Sequence, residues 1–427
     1  MEIINNFLWS IATILLVLSG IYFAFKLKFL HLNFKKMLKS LKSDNNKLGI
    51  SPFESLSVSL GGCIGVGSLA GIALAIFKGG VGTIFWILLS CLIIAPNSIV
   101  ENALALMYRE KNNNSYIGGP AYYIKKGLGY KKIAILYSII VILAYLFGFL
   151  TIQSNTIAKS ITFLYNVPSI LIGIIIGILS FLIIRKGLKG IARFSSIFVP
   201  LMGIIYLLVA MLIIVKNINL MPGILSNIIH EAFNTTSLKY GILSSIIIGI
   251  ERGIFASEVG TGTSAIASGS SNLDKPINQG LVGVIGCYFT TFVICLSTAL
   301  IILTSNYNPN NYTLVNGIEI TLNALVYHLG TFGNIVLYFC LIAFSFSTII
   351  SGYYYVESNL KFLFKNISNK VITLLKIFTC FLLCLASIIS PDFIWNTCDI
   401  LVAILIIINV NCLLNLKKDV IIELEVR

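Results

Sequence analysis

Apolar stretches of roughly 18 or more residues follow one another along the chain with short gaps, and nothing else in the sequence limits its fold as strongly. Eleven stretches are long and apolar enough to read as membrane helices. They run over Phe7–Phe25, Glu54–Phe77, Val81–Met107, Ile133–Ile157, Pro168–Ile184, Phe194–Val215, Tyr240–Ala267, Gly280–Leu303, Gly333–Tyr355, Ile372–Ile389 and Phe393–Leu414. Of the 427 residues, 57% are apolar and 11% charged. A soluble domain has about 45–50% and about 25% respectively, so the expected fold class is an all-α integral membrane bundle.

The net charge of +14 would suit a nucleic-acid partner, but its placement argues for topology instead. With the amino terminus outside, nearly all basic residues fall on one side. These include Lys26, Lys28, Lys35, Lys36, Lys39 and Lys42, then Lys125, Lys126, Lys131 and Lys132, and Arg185, Lys186, Lys189 and Arg193. The other side holds Lys78, Lys159, Lys216 and Lys239, while Arg252 and Lys376 lie within spans. Basic loops stay cytoplasmic, which sets the orientation, with contact to anionic lipid and no nucleic acid. The first stretch lacks a basic leader and a small-residue cleavage site, and reads as a retained helix.

Other chemistries find little footing. All nine cysteines fall in predicted spans without a CxxC, and His31, His230 and His328 lack a second metal ligand at a useful spacing. No glycine-rich loop precedes a lysine, so direct ATP coupling is unsupported, and no nucleophile–base constellation suggests an enzyme.

Glycines and small polar residues cluster in two places. The second stretch contains Gly61, Gly62, Gly65, Gly67, Ser68 and Gly71; the seventh contains Gly249, Gly253, Ser257, Gly260, Thr261, Gly262 and Thr263. Each glycine costs a helix up to about 1 kcal/mol relative to alanine, so such clusters invite unwinding. Unwound backbone at membrane depth is tolerated only inside protein or beside a wet cavity. A competing reading is close helix packing, since Gly61 and Gly65, like Gly67 and Gly71, satisfy GxxxG. The pairing favours binding. Spans two and seven each open a set of five, and five is odd, so the two sets enter the membrane from opposite sides as an inverted repeat. Free N–H groups of a half-helix suit a carboxylate, and freed carbonyls suit a small cation.

Glu101, Glu251, Arg252, Glu258 and Asp399 are the main charges within the spans. Arg252 is expected to pair internally with a nearby acid and fix its helix. Glu258 is expected to act as a gate, a helix-positioning group or a proton-sensitive site. Glu251 and Arg252, as sequence neighbours in a helix, are expected on different faces.

At these motifs the chain resembles the alanine or glycine:sodium symporter family of the amino acid–polyamine–organocation superfamily. The resemblance spans nearly the whole chain. It rests on Gly65-Val66-Gly67-Ser68-Leu69-Ala70-Gly71, Tyr108-Arg109-Glu110, Gly118-Gly119-Pro120-Ala121-Tyr122-Tyr123-Ile124, Gln153-Ser154-Asn155, Arg252-Gly253-Ile254-Phe255-Ala256-Ser257-Glu258, Gln279-Gly280-Leu281, Phe346-Ser347-Thr348-Ile349-Ile350 and Trp395-Asn396 with Asp399.

The resemblance implies a leucine-transporter-type fold with a 5+5 inverted repeat preceded by one extra helix. Residues 1–48 would form that helix and a basic loop, 49–216 the first repeat and 217–427 the second. It implies alternating access, with sodium entry driving uptake of a small neutral amino acid such as alanine or glycine, and no cofactor beyond the coupling ion. It places the substrate carboxylate at Gly65, Val66, Gly67 and Ser68, its polar groups at Gln153, and Gly253, Ile254 and Phe255 across the pocket. Sodium would meet the carbonyls of Gly61, Ile64 and Phe344 and the hydroxyls of Ser347 and Thr348, an all-oxygen set suited to a hard cation. The plain alternative for those hydroxyls is bonding to carbonyls of the preceding helical turn.

Three departures bear on cargo. Ser68 stands where the family has asparagine, Thr290 where aspartate is frequent, and Gly352 where tryptophan is common, which predicts a roomier pocket. A larger amino acid, proton coupling, or a channel or sensor on the same scaffold are the alternatives. The Ile-, Asn- and Lys-rich usage fits a bacterial cell membrane; oligomeric state is not legible.

Overall fold

A computed structural model describes residues 2–42, 48–112, 115–233, 241–309, 317–364, 367–389 and 391–425. Lys239 and Tyr240 lie outside the described residues. In chain order the helices are α1 Glu2–Lys26, α2 Phe34–Ser40, α3 Pro52–Cys63, α4 Ile72–Gly79, α5 Thr83–Met107, α6 Pro120–Gly127, α7 Lys131–Ala144, α8 Leu150–Tyr165, α9 Ser169–Ile184 and α10 Gly187–Lys216. They continue as α11 Met221–Phe233, α12 Gly241–Ser257, α13 Thr263–Ser268, α14 Pro276–Tyr288, α15 Leu296–Leu303, α16 Gly317–Leu329, α17 Thr331–Leu363, α18 Asn369–Ala386, α19 Pro391–Asn415 and α20 Lys417–Glu425. One hairpin pairs β1 Glu110–Asn112 with β2 Ser115–Ile117 antiparallel, Glu110 opposite Ile117.

Every predicted stretch falls on helix, but not every one is long enough to cross a bilayer unbroken. Among the described residues eight runs have the length and apolarity to cross, and nine if α3 and the helix after it count as one bent span. The expected count of eleven exceeds this for a physical reason. Helix α9 has 16 residues, about 24 Å at 1.5 Å per residue and short of a hydrocarbon core of about 30 Å. Helix α12 is described over 17 residues before its chain unwinds, with residues 234–240 ahead of it outside the described ones.

Wide π-type turns join α7 to α8 at Tyr145–Phe149 and α14 to α15 at Phe289–Cys295, so each pair runs on as one helix. Helix α5 is the central post, packed chiefly on α14, α12 and α1. Helix α17 lies against α3, α7, α8 and α10. Close approach explains several glycines: a Cβ on Gly20 of α1 would sit 2.2 Å from the Ile93 carbonyl of α5. Ser19 Oγ donates to Asn97 Oδ1 at 2.8 Å beside it, so polar bonds as well as shape dock α1.

At the end of the bundle opposite the amino terminus the segments around Ile50, Arg109 and Ser270–Asn272 are tied together. Ile50 donates to the Ser270 carbonyl (3.0 Å) and accepts from Asn272 N–H (2.7 Å). Arg109 donates to the Ser271 carbonyl at 2.5 Å with its guanidinium 3.8 Å above the Tyr116 ring.

Candidate functional site at two broken helices

The first break follows from α3. A capping box starts that helix, with Ser51 and Glu54 exchanging bonds, and its last regular bond runs from Ile64 N–H to the Leu60 carbonyl at 2.8 Å. Ile64 then leaves helical geometry at φ −85° and ψ 88°. The chain re-enters a π-type turn over Gly67–Gly71, and the two halves meet at 56°. Two partners fix the turn. Gln153 on α8 accepts the Val66 N–H at 3.0 Å, and Thr348 on α17 reaches the same backbone. Gly65 is squeezed between them, since a Cβ there would lie 2.7 Å from Thr348 Oγ1 and 3.0 Å from the Gln153 amide.

The expected cation ligands converge here. Thr348 Oγ1 lies 3.0 Å from the Gly61 carbonyl, 3.3 Å from that of Ile64 and 3.1 Å from that of Phe344. Ser347 Oγ lies 2.8 Å from the Phe344 carbonyl and 3.4 Å from that of Gly61. Both hydroxyls donate to carbonyls in this arrangement, including the helical back-bond to Phe344 foreseen as the alternative. A cation at their centre would need each hydroxyl to turn its hydrogen away and offer a lone pair, which free rotation allows.

The second break falls in the later part of the glycine cluster of the seventh stretch, after Gly253–Phe255, which the resemblance sets across the pocket. Gly253, Ile254 and Phe255 remain inside α12; the chain unwinds at Glu258 (φ 52°), Gly260 (φ 83°) and Gly262 (φ 79°) and becomes helical again at Thr263. Gly253 faces α5, where a Cβ would strike Ser90 Oγ at 2.3 Å, so its smallness serves helix packing. Ile254 is fully buried. Phe255 alone of the three reaches the first break: its ring would be 3.3 Å from a Cβ on Gly67, and it stacks on Phe149 (5.5 Å) beside Trp395 (5.8 Å). The side chain of Asn396 lies outside the described residues.

Two carboxylates tie the second break down. Glu101 on α5 accepts from Gly260 N–H (3.2 Å), Asn409 Nδ2 (3.1 Å) and Ser264 Oγ (3.4 Å). Glu258 accepts from Thr263 Oγ1 (2.7 Å) and Tyr145 O–H (3.1 Å). Tyr137 donates to the Thr261 carbonyl at 2.6 Å, and Tyr123 to Asn409. Glu101, Tyr123, Tyr137, Tyr145 and Asn409 are all fully buried, and sequence reasoning gave none of them a role at the break. Asn409, a strong amide inside an otherwise aliphatic run, was the available signal.

Two expectations are corrected. Arg252 forms no ion pair within 4.0 Å among the described residues; its guanidinium sits 5.8 Å from the Phe255 ring. Glu251 and Arg252 both lie in helical α12 and border one cavity. Gly352 does not open space, because a Cβ there would meet Leu150 at 2.6 Å and Tyr145 at 2.7 Å: those side chains already fill the room a tryptophan would take. Thr290 simply bonds back to the Gly286 carbonyl at 3.0 Å. Ser68 is fully buried and its hydroxyl has no hydrogen-bond partner among the described residues.

Sequence comparison settles the family. The chain matches the sodium:alanine symporter family over residues 1–426. It belongs to that family. The members are transporters, so the chain belongs with multi-pass membrane symporters and not with enzymes. It is 34% identical to the "Probable sodium/glutamine symporter GlnT" of Bacillus subtilis, across 98% of this chain and 88% of that one. It is 28% identical to the "Sodium/alanine symporter AgcS" of Methanococcus maripaludis, across 98% and 95%. Among solved structures, MhsT in complex with L-phenylalanine superposes with a TM-score of 0.62 over 85% of this chain and 89% of that chain, at 14% identity. At that identity the likeness carries the fold alone, which this symporter-family chain shares with leucine-transporter-type proteins.

Proposed function

We propose that the chain is a secondary active symporter in which sodium entry drives uptake of a small neutral amino acid of the alanine or glycine type. The observation that carries this reading is the first break. One short segment carries the N–H groups of Gly65 to Ser68 on one side. Of these, Val66 bonds Gln153 and Ser68 the Gly65 carbonyl, and both would exchange those bonds for cargo. On the other side are the Gly61 and Ile64 carbonyls beside Ser347 and Thr348. An amino-acid carboxylate at the half-helix amino end and a sodium ion among the oxygens would each lower the other's charge cost. Gln153 then has two roles: it bonds Val66 and offers its remaining amide hydrogens to the cargo. Phe255, with Phe149 and Trp395, forms the apolar cover.

In this reading the bundle has eleven spans. Residues 1–48 supply an extra helix and a basic loop, and 49–216 and 217–427 form two inverted five-helix repeats. The amino terminus lies outside and the carboxy terminus in the cytoplasm of a bacterial cell, in keeping with the asymmetry of basic loops. The end tied by Ile50 and Arg109 is then the cytoplasmic one, and alternating access requires those bonds to part. Glu258 acts as a helix-positioning group.

A cargo of glutamine size is the second reading. Ser68 favours it, because a serine in the place of asparagine presents a smaller side chain with a single hydroxyl at the first break. A thermal-shift screen of the twenty amino acids, each with and without sodium, followed by uptake into proteoliposomes under imposed sodium or proton gradients, separates these readings. Uptake of alanine that requires sodium supports the first. Unchanged uptake without sodium removes the coupling assignment.

A further inference from the structure

A cavity of about 350 Å³ opens at the end of the bundle that carries the amino terminus, lined by Asn5, Asn6 and Trp9 of α1, Lys78 of α4, Glu251, Arg252 and Phe255 of α12, and Asp399 of α19. Small-molecule sites run from about 300 to 1,000 Å³, so the space suits one small solute. Its chemistry is unusual for a packing defect. Two cations and two carboxylates face one space, yet none of the ion pairs found within 4.0 Å among the described residues joins them. One oxygen of Asp399 and the amide oxygen of Asn5 are buried without a hydrogen-bond partner. The opposite charges share the space without direct contact, so a solute carrying both signs can bridge them. Phe255 lines this cavity and its ring also lies beside Gly67 at the first break, so the cavity and the candidate cargo site share one aromatic side chain.

We propose that this cavity is a second, outer holding site for a zwitterionic amino acid, with Arg252 and Lys78 taking the α-carboxylate and Asp399 and Glu251 the α-ammonium. This rests on the reading of the chain as a carrier of neutral amino acids. It also gives α1 a role in transport, since Asn5, Asn6 and Trp9 complete the wall and make the extra helix part of the entry route. An Arg–carboxylate contact is directional and bidentate, which presents the amino acid to the Phe255 partition in a fixed orientation.

The test is the binding stoichiometry of the purified full chain in detergent, with radiolabelled L-alanine and L-glutamine as probes in saturating sodium. Two sites per chain are expected for the carried probe, the second weaker by about tenfold or more because it lies nearer to water, which screens its charges. Ethylamine and propionate, each lacking one of the two charges, should fail to displace the weak component. Asp399→Asn and Arg252→Gln should each remove the weak component and leave the sodium-dependent one. A single sodium-dependent site in the unmodified chain overturns the outer site alone. A weak component that survives both substitutions overturns it as well. Absence of any amino-acid binding in sodium overturns the cargo assignment and the outer site together.

Discussion

The two helix breaks solve the same problem with opposite means. At the first, Ile64 to Ser68, neutral groups hold the chain: the Gln153 amide and two hydroxyls on α17. At the second, Glu258 to Gly262, Glu101, Asn409 and Tyr137 bond the Gly260 N–H and the Gly260 and Thr261 carbonyls, while Glu258 is held by Thr263 and Tyr145. A neutral, adjustable frame leaves N–H groups and carbonyls available to cargo and ion. A frame of buried carboxyl groups with many partners fixes one conformation, since removing any member strands the others. The first break therefore reads as the working surface and the second as its rigid support, with Phe255 carrying contact from one to the other.

The largest effect that tests this contrast is expected at the support. Glu101→Ala strands the Gly260 N–H, the Asn409 amide and the Ser264 hydroxyl at once. At about 1–3 kcal/mol for each unsatisfied buried group, with partial relaxation, the loss of stability should come to about 3–5 kcal/mol. Thermal unfolding in detergent measures it. Glu101→Gln keeps an acceptor oxygen and should recover a good part. Equal and small losses for both substitutions would show that the second break does not depend on its carboxylate frame.

At the working surface the effect should fall on transport instead. Gly65→Ala places a methyl 2.7 Å from Thr348 Oγ1, between the two side chains that define the turn. Misplacement on the order of 1 Å costs about 100-fold where geometry must be met, so sodium-driven uptake should fall about 100-fold with the folded fraction preserved. Gly71→Ala is the contrast. Nothing lies within 4 Å of a Cβ there, so uptake should stay near that of the unmodified chain. A severe loss at Gly71 would revive close packing as the reason for the Gly67–Gly71 pair.

How much of this was legible in the sequence differs by break. Glycine spacing gave the position of the first one, because Gly61 and Gly65 are small for contacts that a sequence motif can mark. In the second, Gly249 and Gly253 produced the same signal for another reason: they let α12 press onto α5 at Trp86 and Ser90 while the helix continues. The unwinding begins only where Glu258, Gly260 and Gly262 take left-handed backbone. The frame around it was hidden because its members come from four distant helices, and a tyrosine or asparagine in an apolar run looks the same whether it packs or bonds. Gly352 misled for a related reason. A missing side chain predicts space only if no neighbour moves in, and Tyr145, 207 positions earlier in the chain, has done so.

The smallest effect concerns the hydroxyls. Ser347→Ala combined with Thr348→Ala deletes two of the five oxygens gathered around Gly61, Ile64 and Phe344 and leaves the three carbonyls in place. A hard cation held by oxygen dipoles loses affinity with each donor removed. Helical back-bonds to Phe344, by contrast, contribute little to a helix whose backbone bonds are already made. The double substitution should therefore raise the sodium concentration for half-maximal uptake about tenfold, equivalent to about 1.4 kcal/mol, and lower thermal stability by about 1–2 kcal/mol through the lost bonds to the Gly61 and Ile64 carbonyls. Thr263→Val at the second break removes a hydroxyl from Glu258 and should lower stability with the sodium requirement unaltered. If sodium dependence is unmoved by the first substitution or shifted by the second, the division of labour between the two breaks is wrong.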